Sequence, residues 1–152
     1  MRDQIIRLIL GDCFEQLRKL PDASVGAVVT DPPYFYGFMG RAWDKSDDPM
    51  AFHRDWLLEA FRVLQPGGII KVFSGTRTKH RLEAAIEAVG FILVGECGWL
   101  QGQGFPKSLD VGKAVGEHLG AEQGPEAQLF EGWGTALKPS FEPFCLGRKP
   151  LT

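Results

Sequence analysis

The sequence predicts an α/β fold, a mostly parallel sheet with helices on both faces, in one domain over residues 1–152. Three observations carry this reading. Short β-branched runs such as residues 25–30 and 68–73 are bounded by turn residues. Between them lie stretches whose apolar residues recur at helical spacing. Proline and glycine mark the changeovers, and the order they mark is βαβαβαβ.

The elements follow in turn. Residues 5–10 read as a short apolar strand, and Asp12 with Glu15 three positions on is a capping-box-like start for a helix to about Leu20. Residues 25–30 form the second strand. Residues 35–48, rich in glycine and aromatics, read as a mobile loop. Asp48-Pro49 opens a helix in which Phe52, Trp56, Ala60, Val63 and Leu64 face the core, ending at Pro66-Gly67-Gly68. Residues 68–73 are the next buried strand, and Leu82, Ala85, Ile86 and Val89 mark a helix closed by Gly90. A strand from Phe91 to Val94, extending towards Leu100, a weak helix over 109–119 with Gly112 and Gly116, and a strand over 141–146 complete the order. Residues 120–128 are polar with glycine and proline, a surface loop rather than a domain boundary.

Composition narrows the function classes. A content of 44% hydrophobic and 11% aromatic residues in 152 is enough for a real core. No apolar stretch is long enough to cross a membrane and no basic-apolar leader opens the chain, which fits a cytoplasmic protein. Cys13, Cys97 and Cys145 are odd in number and widely spaced, and His53, His80 and His118 are scattered, so neither a disulfide framework nor a metal site is indicated. The net charge of −2 is weak for duplex binding, where phosphate neutralisation supplies most of the affinity. Lys71, Arg77, Lys79, His80 and Arg81 crowd one strand-to-helix passage, with Arg148 and Lys149 near the end; such runs are more often solvated faces than nucleic-acid contacts.

The chemistry-bearing segment is Asp31-Pro32-Pro33-Tyr34, directly after the second strand. Proline lacks the donor that a ladder needs, so two prolines force the chain out of the sheet in a fixed extended shape. Their carbonyls face the crevice beyond the strand's carboxyl end, where open α/β sheets bind ligands. With the Asp31 carboxylate they form an acceptor-only cluster, suited to orient an exocyclic amine and to favour the positive charge that grows on its nitrogen. Tyr34 offers a flat face for the ring that carries the amine, and base-on-aromatic stacking is worth about 1–3 kcal/mol. The same four residues also make an ordinary Asx-type turn with tyrosine covering a core edge, and placement after an apolar strand favours the functional reading.

These residues resemble the S-adenosylmethionine-dependent amino-methyltransferases of DNA bases, in the β-type circular order that puts the catalytic tetrapeptide first and the cofactor loop last. The likeness runs through Leu10-Gly11-Asp12-Cys13, Leu20-Pro21-Asp22, Thr30-Asp31-Pro32-Pro33-Tyr34 and Arg62-Val63-Leu64-Gln65-Pro66-Gly67-Gly68. Residues 104–110, Gly-Phe-Pro-Lys-Ser-Leu-Asp, and 132–139, Gly-Trp-Gly-Thr-Ala-Leu-Lys-Pro, are similar to phage and prophage adenine methylases. The resemblance implies a partial Rossmann-like methyltransferase sheet, with Asp31, Pro32, Pro33 and Tyr34 as catalytic residues and S-adenosylmethionine as cofactor. Double-stranded DNA with a flipped adenine is the implied substrate, since Asp at the first position accompanies adenine in that family.

The resemblance also implies cofactor contacts by Asp31 and Asp12, although Asp12 serves equally well as a helix N-cap. In that circular order the Phe-x-Gly-x-Gly cofactor loop belongs beyond residue 152. Phe73-Ser74-Gly75-Thr76 and Gly102-Gln103-Gly104 are local look-alikes that do not replace it. Two strands of the resembled sheet would lie there too, leaving apolar edges unpaired. The expectation is therefore a chain completed by a second chain that supplies the cofactor loop, a homo-oligomer, or a remnant without activity. Methylation of an RNA or protein amine is less favoured, because relatives acting there carry Asn at the position of Asp31.

Overall fold

The computed structural model describes residues 6–37, 40–102, 108–121, 124–135 and 140–152. Its elements are α1 (Cys13–Arg18), β1 (Val25–Thr30), α2 (Pro49–Val63), β2 (Leu64–Phe73), α3 (Lys79–Val89), β3 (Ile92–Leu100), α4 (Val111–Leu119), α5 (Pro125–Gln128) and β4 (Phe141–Arg148). The strands form one sheet in the order β1-β2-β4-β3. β1 runs parallel to β2, and β4 runs antiparallel to β2. The α/β class expected from the sequence is what the chain adopts, with a mixed rather than mostly parallel sheet. Hydrophobic periodicity marks strands but not their direction, and β4 returns into the sheet between β2 and β3 after the long excursion of residues 99–142.

The chain divides into two compact units, residues 1–98 with 143–152, and residues 99–142. The first is built around α2, whose N-terminus is set by Asp48, its carboxylate accepting from Ala51 N at 2.9 Å, and by Pro49 in the first turn. Trp56, Leu57 and Ala60 of α2 are buried in one cluster with Leu82, Ala85 and Ile86 of α3 and Ile70 and Val72 of β2. Leu57, Ala85, Ile86, Ile70 and Val72 are fully buried, so this is the core that holds the sheet's end in place. β2 alternates, with Ile70 and Val72 inward and Ile69, Lys71 and Phe73 on the less covered face. The Lys71 ammonium lies 3.9 Å from the centre of the Phe144 ring on that face.

Four sequence expectations are corrected. Residues 6–10 are not a strand: with no described strand beside them they have no ladder to join, and Leu8 and Leu10 are 93% and 99% exposed. The strand expected from residue 68 begins at Leu64, because Val25 of β1 pairs with Leu64 and the register then shifts to Ala27 with Ile69, leaving Gln65–Gly68 as a bulge that accommodates Pro66 and Gly67 at φ +77°. The stretch 120–128 contains the short helix α5. Lys149 is not a free basic residue: its ammonium donates to the carbonyls of Phe61 and Leu64 at 2.7 Å each, satisfying the C-terminal end of α2.

Two separately read sequence segments meet at Arg62. Its guanidinium donates to the carbonyls of Leu17 and Leu20 and to the carboxylates of Asp22 and Glu59, tying the end of α1 to α2. The hydrogen bond to Asp22, then that to Glu59, raises its pKa further. In the second unit, Asp110 caps α4 through Lys113 N at 3.0 Å, and Leu109 and Asp110 run beside Gly134 and Thr135. The parts of the family-like segments at 103–107 and 136–139 lie outside the described residues.

Candidate active site

β1 delivers the tetrapeptide to the carboxyl end of the sheet, one strand from the outlet of β2 at Ser74. Asp31 is exposed, and no hydrogen bond or ion pair engages its carboxylate among the described residues. Pro32, Pro33 and Tyr34 are half-buried. Their inner sides close on His53, Ser74, Thr78 and Leu82, around a space of about 10 Å³, at the lower limit for a single water. The tetrapeptide is therefore backed by packed protein.

His53 belongs to that backing and was not singled out in the sequence. It is buried on α2, its Nδ1 accepts from Trp56 Nε1 at 3.3 Å, and the Phe35 ring lies 5.3 Å away. Burial lowers its pKa to about 4, so the ring is neutral at physiological pH with its proton on Nε2.

The segment after Tyr34 is held tightly. Phe35 adopts φ +56°, the left-handed region that costs a bulky residue about 1–3 kcal/mol and persists only where its surroundings demand it. Two groups make that demand. The Phe35 ring sits edge-on to Phe52 at 5.1 Å, and the carboxylate of Asp44, 3% exposed, accepts from Phe35 N at 2.7 Å and Tyr36 N at 3.0 Å. Gly37 N donates to the Asp44 carbonyl at 3.2 Å. The loop expected to be mobile is thus pinned over residues 35–37 by a short 3-10 turn, Ala42–Asp44.

Tyr36 links the tetrapeptide to the outlet of β2. Its ring meets that of Tyr34 edge-on at 5.9 Å, its hydroxyl accepts from Arg77 N at 3.0 Å, and the Arg77 guanidinium lies 4.4 Å from its centre. Any side chain at Gly75 would overlap the Tyr36 hydroxyl. The Phe73-Ser74-Gly75-Thr76 look-alike is accordingly filled by Tyr36 and offers no open cradle.

Of the other expected site residues, Asp12 caps α1, accepting from Phe14 N at 2.9 Å and Glu15 N at 3.3 Å. Of the basic cluster, Lys79 is paired with Glu83 and Glu96, whereas Arg77, His80 and Arg81 lie towards solvent. Among the described residues no group of three or more His, Cys, Asp or Glu could hold a metal ion, and no helix is long and apolar enough to cross a membrane.

A family model for N6/N4 methyltransferases, described as DNA methylase, matches residues 25–122, which include β1, the tetrapeptide and the core helices. The chain belongs to this DNA methylase family. Among curated relatives it is 34% identical over 77 residues to the type II methyltransferase M.HpaI of Haemophilus parainfluenzae, covering 47% of this chain and 24% of that protein. It is 26% identical over 116 residues to the type II methyltransferase M.HinfI of Haemophilus influenzae, covering 65% and 32%. The matched region thus spans a quarter to a third of those relatives.

The fold is that of solved methylases. A DNA modification methylase of Thermus thermophilus, TTHA0409, solved with S-adenosyl-L-methionine, superposes with a TM-score of 0.59 at 23% identity, over 93% of this chain and 52% of that one. The cytosine-N4-specific PvuII DNA methyltransferase superposes at 0.61 with 16% identity, over 93% and 48%.

Proposed function

We propose that this DNA methylase family member transfers a methyl group from S-adenosylmethionine to the 6-amino group of adenine in DNA. The observation that carries the reading is the Asp31 carboxylate, exposed and unpartnered among the described residues at the exit of β1, on a rigid diproline and next to Tyr34. Asp31 is therefore available as a hydrogen-bond acceptor, while one oxygen of Asp12, Oδ1, caps α1.

A stacked base keeps its amine out of reach, so the adenine is extruded from the duplex and stacks on Tyr34. Asp31 and the carbonyls of Asp31 and Pro32 accept hydrogen bonds from the amine and align its nitrogen. That nitrogen forms the new N–C bond as the methyl–sulfur bond breaks, the electron pair leaving with sulfur. Asp31 stabilises the positive charge that develops on nitrogen, and the surplus proton passes to Asp31 or to water. S-adenosylmethionine supplies the activated methyl. Positioning and charge stabilisation account for the acceleration, without a covalent enzyme intermediate. Arg77, His80 and Arg81 would meet backbone phosphates beside the site.

Adenine is favoured over cytosine by the resemblance, in which an aspartate at the position of Asp31 accompanies adenine. Digesting DNA labelled by tritiated S-adenosylmethionine to nucleosides tests this: label in N6-methyldeoxyadenosine supports the proposal, and label in N4-methyldeoxycytidine moves the chain to cytosine. A second reading, a chain completed by a second polypeptide or a second copy, is favoured by the outer edge of β1, which has no neighbouring strand among the described residues and leaves Val29 68% exposed. Light scattering of the purified chain, alone and with any co-encoded polypeptide, distinguishes the two.

A further inference from the structure

We propose that Asp44 and Tyr36 form a positioning bracket for the tetrapeptide, in which the Asp44 carboxylate sets the turn after Tyr34 and Tyr36 carries that setting to the Tyr34 ring and to the outlet of β2. The inference rests on the reading of residues 31–34 as the amine-holding segment. Its physical basis is separate.

Among the described residues Asp44 is the one Asp, Glu, Lys or Arg that is buried. A buried carboxylate is costly unless its oxygens are satisfied, and here both are used on the backbone amides of Phe35 and Tyr36, directly after the tetrapeptide. Consecutive amides around a left-handed residue form a concave nest that attracts an anion, and the chain supplies that anion itself. The arrangement dictates where Tyr36 points. From there the Tyr36 ring touches Tyr34 edge-on, and its hydroxyl is fixed by Arg77 N above Gly75.

The stacking face of Tyr34 is thereby referenced to two other points of the fold, the 3-10 turn at Ala42–Asp44 and the start of the loop before α3. A base-stacking tyrosine on a turn held at one end only would wander by more than the geometry of methyl transfer tolerates. Neither Asp44 nor Tyr36 touches the reacting atoms in this scheme. Both act through Tyr34.

The chain has two tyrosines, Tyr34 and Tyr36, which makes a direct test available. The full chain labelled with 3-fluorotyrosine gives two ¹⁹F resonances, assigned with Tyr34→Phe and Tyr36→Phe. In Asp44→Asn the Tyr34 line is expected to sharpen and move towards the position of free fluorotyrosine. Amide exchange at Phe35 and Tyr36 should accelerate at least tenfold, while exchange at Ile70 and Val72 in β2 stays as in the parent. In Tyr36→Leu, which keeps Asp44 and leaves the core untouched, the remaining Tyr34 line should move in the same direction.

An unchanged Tyr34 resonance in Tyr36→Leu overturns the proposal, as do unchanged exchange rates at Phe35 and Tyr36 in a folded Asp44→Asn. Should Asp44→Asn not fold, the Tyr36→Leu spectrum alone decides. These readouts need no turnover, so they stand whether or not Asp31→Ala abolishes methyl transfer. Where turnover is measured, the bracket predicts a fall of about tenfold in kcat for Tyr36→Leu with KM for S-adenosylmethionine unchanged.

Discussion

At the scale of single residues the site depends on contrast between neighbouring groups. Asp31 faces solvent with its acceptors available, whereas Asp44, thirteen positions on, is sealed inside with its acceptors spent on backbone amides. His53, behind the prolines, is a neutral spacer whose charging would put a cation in a packed pocket. The sign of its pH effect follows from its lowered pKa. The unfolded chain takes up the proton near pH 6.5 and the folded chain only near 4, so the contribution to stability is full above pH 6.5 and is lost as pH falls from 6.5 to 4. That contribution is at most roughly 3 kcal/mol. Urea midpoints measured from pH 7 to pH 4 should therefore fall, and His53→Gln should flatten the fall. A slope unaltered by that substitution would assign the acid sensitivity elsewhere.

At the scale of elements, the helices are fixed by residues that the sequence displays openly. Asp48-Pro49 starts α2, and Gly90 at φ +108° stops α3. Asp48→Ala should cost about 1 kcal/mol through the lost cap. Gly90→Ala should cost about 1–2 kcal/mol, because a Cβ is strained in the left-handed region. Both are readable as shifts of the urea midpoint with an unchanged slope. Local signals of this kind made α2, α3 and β1 legible, along with the placement of Asp31-Pro32-Pro33-Tyr34 at the end of a strand. The Asp44 contact was not legible, since it joins residues eight and nine positions apart across an irregular loop, where no periodicity operates. The role of Lys149 was hidden for a similar reason: its partners at Phe61 and Leu64 are more than eighty positions away. Of the strand expected at 5–10, residues 6–10 did not form one because an apolar run becomes a strand only beside another strand.

At the scale of the whole molecule, charge and edges govern what the chain can bind. With a net charge of −2 and Lys79 and Lys149 already engaged, the exposed basic residues of the cluster at 71–81 reduce to Arg77, His80 and Arg81. If Arg77 and Arg81 each meet one phosphate, the logarithm of duplex affinity should fall against the logarithm of salt with a slope of about −1.8. Arg81→Gln should reduce that slope by about 0.9, and fluorescence anisotropy over a salt series measures both. An unchanged slope would place the DNA on another surface.

The central claim is that Asp31 holds the amine that is methylated, and steady-state transfer of tritiated methyl from S-adenosylmethionine to duplex DNA by the parent chain and Asp31→Ala tests it most directly. The account predicts label in DNA with the parent and a loss of about 10²–10³-fold in the variant, the range typical of removing a group that stabilises developing charge. Full turnover by Asp31→Ala would contradict it.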